Sequence, residues 1–168
     1  MSITSREIVS PRIAQSGLRW LWITLIILLL DRATKMLIQQ YFTLYDTLRI
    51  TPFFNLTLAY NKGAAFSFLN SAPGWQMWIF GGIAIIITGV LLFWLKKIYY
   101  SDRWISIALT LIIGGALGNL CDRLCYGHVI DFLQLHIAGY YWPVFNVADS
   151  SICVGAFMLV IDAFLKKN

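Results

Sequence analysis

Of the chain's 168 residues, 59% are hydrophobic and 12% are charged, which is about half the charged fraction of a soluble domain. That balance excludes a water-soluble globule, which would have no surface on which to display so much apolar side chain. The formal net charge of +5 does not indicate a nucleic-acid partner, because the bases bracket the apolar segments instead of clustering on one helix among stacking aromatics.

In chain order the apolar segments run over about 18–38, 75–95, 104–121 and 145–165, each near the ~20 residues that a spanning helix needs. An all-α membrane fold with four transmembrane helices in a single domain over 1–168 is therefore expected. Trp and Tyr sit mostly beside these segments, as an interfacial aromatic belt requires. The first segment ends in Asp31-Arg32-Ala33-Thr34-Lys35. That is no small-residue cleavage site, so it reads as a retained span and not as a removed leader.

The bases set the orientation. Arg6, Arg12 and Arg19 precede the first span, Lys96, Lys97 and Arg103 join the second to the third, and Lys166 and Lys167 follow the fourth. Only Arg49, Lys62 and Arg123 fall in the two opposite segments, about 41–74 and 122–144. The positive-inside rule then places both termini in the cytoplasm. The first outer segment is long and semi-apolar. Asn55 to Tyr60 alternates polar and apolar, Ala65 to Phe68 does so again, and Asn61-Lys62-Gly63 between them is a turn signal. The pattern predicts a small extracytoplasmic β-hairpin or sheet resting on the membrane surface.

Within the third span, Gly114 and Gly118 are spaced for a close helix–helix contact. Cys121, Cys125 and Cys153 are odd in number and lack a CxxC spacing, so they read as small buried hydrophobes and not as a disulfide framework.

Polar groups in hydrocarbon are expensive, so their depth is informative. At about 1.5 Å per residue, Lys35 lies about 24 Å beyond Arg19, Asn119 about 24 Å beyond Arg103, and Asp149 about 25 Å back from Lys166. Against a core about 30 Å thick, three helices thus carry polar groups at one level, just inside the outer surface. Asp122 and Arg123 lie slightly beyond it, and Asp31 a turn deeper.

Asp31 and Lys35 are four apart and suit an intrahelical ion pair, as do Asp162 and Lys166 at the inner end. Asp149 stands where a helix N-cap would. Asp131, set among apolar residues, has no local partner. Asp131 and Asp149 together are a candidate catalytic pair. Two carboxyl groups held close in a partly dry site share one proton. The ionised one takes a proton from water while the other hydrogen-bonds a scissile carbonyl. A zinc site from Cys121, Cys125, His128 and His136 matches no strong pattern, and a Ser150–Lys35 pair competes poorly with Asp31 for the lysine. No metal and no cofactor is expected.

The blocks Asp31 to Lys35, Tyr60 to Ser67, Gly114 to Phe132 and Phe145 to Ser150 occur in the order found in lipoprotein signal peptidase, the signal peptidase II family of bacterial membrane aspartyl endopeptidases. The chain resembles that family from about Leu18 to Leu165. The resemblance implies a membrane endopeptidase of the bacterial inner membrane. Its partners would be prolipoproteins carrying a diacylglyceryl group, cut just before the lipidated cysteine, and membrane phospholipid. It implies Asp131 and Asp149 as the catalytic aspartates. Asn61, Asn119, Asn146 and Arg123 would line the substrate pocket, with Arg123 suited to a lipid phosphate or to backbone carbonyls. Asp31 and Lys35 would give structural support. A monomer is expected, and the long outer segment would act as a clamp over the substrate.

Two other classes fit a small four-span protein. An ion-coupled carrier would place its acids near the midplane and often show an internal repeat; no repeat is found, and apart from Asp31 the acids lie near the outer edge. A non-enzymatic scaffold has no need of two acids beside three asparagines at one depth.

Overall fold

The computed structural model describes residues 15–63 and 75–166. A 3-10 turn, Gly17–Trp20, leads into α1, Leu21–Tyr41. Strands β1, Thr47–Thr51, and β2, Phe54–Asn61, follow. Then come α2, Trp75–Lys97, and α3, Arg103–Tyr126. The chain closes with β3, Val129–Ile137, β4, Tyr140–Tyr141, and α4, Val147–Leu165. The second alternating run, Ala65 to Phe68, and the bases Arg6, Arg12 and Lys167 lie outside the described residues.

Three helices, α2, α3 and α4, are long and apolar enough to cross a membrane. Helix α1 matches them in length but carries Asp31, Arg32 and Lys35. Helix α3 is the central one, with twelve buried residues including Leu109, Ile113 and Asn119. Its glycines let the neighbours close in. A Cβ on Gly114 would lie 2.9 Å from the Cβ of Ile27 on α1, and one on Gly118 would lie 2.8 Å from Asp31 Oδ2. A Cβ on Gly115 would come within 2.2 Å of the Ala148 carbonyl oxygen, so α4 rests directly on the bare backbone there. The Gly114–Gly118 pair is thus a packing device, as its spacing predicts. At its far end α3 runs five residues past the expected limit of 121 and stops at Gly127, whose φ of 73° is the left-handed conformation that glycine adopts without steric cost.

One end of the molecule gathers the start of α1, the end of α2, the start of α3 and the end of α4. The Gly17 amide donates to the Ile98 carbonyl at 2.9 Å, the Trp20 indole to the Tyr100 carbonyl at 3.0 Å, and the Trp104 indole to the Met158 carbonyl at 2.8 Å. Arg19, Lys96, Lys97, Arg103 and Lys166 are all at or near this end. The Asp162–Lys166 ion pair forms there at 2.9 Å, as its spacing predicts.

The opposite end carries a four-stranded antiparallel sheet in the order β1-β2-β3-β4. The expected strand at Asn55–Tyr60 is β2, but the partners seen are new. β2 turns back on β1 through Pro52 and Phe53, and its other edge pairs with β3 from the second outer segment. Asn61-Lys62-Gly63 does turn, with the Gly63 amide donating to Asn61 Oδ1 at 2.9 Å. Ile38 from α1 packs with Leu58, Ile130 and Phe132 from the sheet in a buried apolar cluster, which fastens the sheet to the helices. Phe145 and Leu133 exchange backbone hydrogen bonds at 2.8 and 2.9 Å, so β3 also anchors the chain entering α4.

Between Leu56 and Ala59, β2 spends one more residue than β3 does between Leu133 and Asp131. This bulge changes which β2 side chains share a face with Asp131. Past it, Ala59 lies opposite Asp131 and Asn61 opposite Val129, so Asn61 and Asp131 lie on one face of the sheet.

The three cysteines correct the expectation of burial: Cys121, Cys125 and Cys153 are all free and exposed. They lie on the exposed faces of α3 and α4, and Cys153 borders the cavity beside Asp149.

Candidate active site

Asp131 is the third residue of β3 and is 2% exposed. Its carboxylate accepts from the Asn61 amide at 3.1 Å on one oxygen and from the Asn146 amide at 2.7 Å on the other. The partner that local sequence withheld from Asp131 comes from β2 on one side and the start of α4 on the other.

Asp149 is not an N-cap. That place belongs to Asn146, whose side chain accepts from the Asp149 amide at 2.8 Å, while Asp149 Oδ2 accepts from the Asn146 amide at 3.3 Å. The two form a reciprocal capping box, which fixes the Asp149 side chain against the helix start. Asp149 Oδ1 accepts from the Asn119 amide of α3 at 2.7 Å.

Asn146 therefore touches both acids. Fully buried, it holds Asp131 with its side chain and Asp149 with its backbone, and its Nδ2 also lies 3.1 Å from Asn119 Oδ1. Lys35, fully buried on α1, donates to Asn119 Oδ1 at 3.2 Å and to Asp31 at 2.7 Å, the latter being the expected ion pair. Arg123 donates to the carbonyl of Asn119 at 3.3 Å and to that of Gly63 at 3.0 Å. It thereby moors the outer segment to α3. All eight residues singled out from the sequence (Asp31, Lys35, Asn61, Asn119, Arg123, Asp131, Asn146 and Asp149) meet in one hydrogen-bonded cluster. Lys35, Asn119 and Asp149, which helix rise places at one depth, are in direct succession there.

One further member, placed near this level by helix rise, has no role assigned from the sequence. Asp122 is 2% exposed and lies 2.7 Å from the Lys35 ammonium, 3.7 Å from the Arg32 guanidinium. Its signal is faint: it follows Asn119 by three residues and so shares a helix face with it.

Burial raises the Asp131 carboxyl from 3.8 to about 8, and the neighbouring charge of Asp149 adds to the rise against the pull of Asn61 and Asn146. At neutral pH Asp131 thus keeps its proton. Asp149 is less enclosed and borders a cavity of about 330 Å³, walled also by Asn61, Leu135, Trp142, Phe145 and Ile152. A protonated carboxyl beside an acid that faces an apolar cleft is the pairing that general acid–base chemistry on a water molecule needs.

The model of the family "Signal peptidase (SPase) II" matches residues 23–165. The chain is 53% identical over 154 residues to a lipoprotein signal peptidase of Pseudoalteromonas atlantica, covering 92% of this chain and 94% of that one. It is 45% identical over 161 residues to a lipoprotein signal peptidase of Vibrio cholerae, covering 95% and 94%. Two solved bacterial membrane enzymes share the fold. One has a TM-score of 0.78 at 35% identity over 88% of each chain, the other 0.79 at 32% identity over 94% of this chain and all of that one.

Proposed function

Since the chain belongs to the signal peptidase II family of membrane proteases that process lipoproteins, we propose that it removes signal peptides from diacylglyceryl-modified prolipoproteins by an aspartate dyad. The bond cut is the one just before the lipidated cysteine. Asp149 takes a proton from a water molecule, whose oxygen attacks the scissile carbonyl. Asp131 gives its proton to the carbonyl oxygen, which avoids a naked oxyanion in a dry site. On collapse, the proton held by Asp149 passes to the departing amide nitrogen and Asp131 regains its own. One water is consumed, and neither a covalent intermediate nor a metal takes part.

The observation that carries this reading is the bridge through Asn146, which ties a buried acid to one that borders a cleft. Asn61 lines that cleft, Asn119 and Asn146 hold the two acids behind it, and Arg123 offers its remaining N–H groups to substrate carbonyls or to a lipid phosphate. In this reading α1 is the fourth span, its charges paired internally, and the sheet rests on the outer face of the inner membrane. The base-rich end is then cytoplasmic, and one chain suffices, because every member of the cluster comes from it.

The test is to replace Asp131 or Asp149 with Asn in the full-length protein and assay a diacylglyceryl-modified precursor. The expected result is loss of cleavage by at least about 10³-fold, on the scale of removing a catalytic group, with the protein still inserted. Cleavage by either variant at the wild-type rate would sink the proposal.

A further inference from the structure

The Lys35 ammonium has three protons and three acceptors: Asp31 Oδ2 at 2.7 Å, Asp122 Oδ2 at 2.7 Å and Asn119 Oδ1 at 3.2 Å. Each of the two acids also grips a backbone amide from a distant element. Asp31 Oδ1 accepts from the amide of Ala148 at 3.0 Å, and Asp122 Oδ2 accepts from the amide of Ile130 at 3.2 Å. Ala148 immediately precedes Asp149, and Ile130 immediately precedes Asp131.

We propose that Lys35, Asp31 and Asp122 form a single positioning device, in which one ammonium ties together two backbone clips that set Asp131 and Asp149 relative to each other. The inference rests on the aspartate-dyad reading. Asn146 and the Phe145–Leu133 hydrogen bonds join β3 to the start of α4 from the side of the sheet; the device holds the same two parts from the side of the helices. The Ala148 amide is one of the orphan donors of a helix start, and Asp31 on α1 satisfies it. The Ile130 amide lies where β3 begins, and Asp122 on α3 satisfies it. The ammonium joins the two clips, and through Asn119 it reaches the Asp149 carboxylate itself.

Stability does not account for this arrangement. Buried ion pairs are often no better than apolar residues of the same size, because desolvation offsets the attraction. Three charged side chains at 2% exposure or less make sense if placement is what they supply. A displacement of about 1 Å at a reacting group costs on the order of 10²-fold in rate, so a clip that fixes the residue next to each acid acts at the right scale.

The decisive variant is Lys35→Met with Asp122→Leu, which removes one positive and one negative charge together and leaves the net charge of the cluster unchanged. In the full-length protein in lipid nanodiscs, assayed with a synthetic diacylglyceryl peptide, kcat should fall about 100-fold. KM should change by less than about threefold, and the pH profile should shift because the two acids no longer hold one separation. The melting temperature should fall less than that of Lys35→Met alone, because one buried acid and not two is left without its cation. Asp122→Asn, which keeps an oxygen for the Ile130 amide, should recover kcat to within about tenfold of wild type. A double variant that fails to fold, or that folds with wild-type kcat and pH profile, would overturn the inference. Asp131→Asn and Asp149→Asn measured alongside separate the two levels. Cleavage by either would remove the dyad and the device with it, whereas two inactive dyad variants beside an unimpaired double variant would remove the device alone.

Discussion

The side-chain amide of Asn146 lies 2.7 Å from the Asp131 carboxylate, and the same residue caps the helix that carries Asp149. Capping the helix and holding the acid thus draw on different atoms of one side chain: the oxygen serves the helix, and the nitrogen serves Asp131.

Asn146→Ser separates these duties. Serine is as good an N-cap as asparagine, but its hydroxyl is too short to cap the helix and reach Asp131 together. Thermal melting in detergent should move little, while turnover of a lipidated precursor falls at least about 100-fold. Asn146→Ala should in addition lose about 1 kcal/mol of stability with the cap. Equal turnover by the serine variant and the wild type would show that the nitrogen is dispensable.

The proton on Asp131 gives a pH dependence of definite sign. Its folded value of about 8 stands above the ordinary 3.8, so between about pH 4 and 8 the folded chain binds a proton that the unfolded chain does not. That contribution to stability is present in full below about pH 4 and is lost as pH rises toward 8. The melting midpoint should therefore fall between pH 5 and 8, and Asp131→Asn should flatten the slope. Turnover should decline as pH rises through about 8, where the proton donor is lost. A wild-type slope no steeper than that of the variant would show that Asp131 is ionised in the folded state.

At Gly115 the added Cβ of alanine meets the Ala148 carbonyl and the Ser151 hydroxyl at 2.2 and 2.6 Å. The first is backbone and cannot rotate away. Gly115→Ala should push α4 off α3, costing about 1–3 kcal/mol as overpacking does, and should weaken turnover by displacing Asp149 from Asn119. Gly82→Ala on α2 meets nothing within 4 Å and serves as the control. Paired melting curves and rates for the two variants decide the point.

Lys35→Met alone differs from its pairing with Asp122→Leu. It leaves Asp31 and Asp122 buried without their shared cation, and removing one partner of a buried ion pair costs about 3–5 kcal/mol. The single variant should melt well below both the wild type and the double variant. A single variant as stable as the double would show that the two acids take up protons at no cost.

Much of this was legible because membrane burial makes polarity rare. Lys35, Asn119 and Asp149 stand out against apolar neighbours, and helix rise alone puts them level. The sheet was half legible. The alternation of Asn55 to Tyr60 betrays β2, but its pairing with β3 joins residues far apart in the chain, as Ala59 with Asp131, which no local pattern encodes. The run Leu133-Gln134-Leu135-His136-Ile137 alternates as cleanly and marks β3 for a reader who looks for it. Asp149 was misplaced by three residues because Asn and Asp are both good caps, and only backbone geometry tells the cap from its partner. The cysteines misled because the habit of burying thiols comes from proteins that face water.

The bulge in β2 decides where the chain can change length. Between Leu56 and Ala59 one residue is already surplus to the pairing, so losing it would straighten the strand and leave Asn61 opposite Val129. Between Ala59 and Asn61 there is no such slack. One residue more or fewer there would turn the asparagine to the far side of the sheet and strip Asp131 of a donor, with every amino-acid identity intact. For this stretch, spacing matters more than spelling.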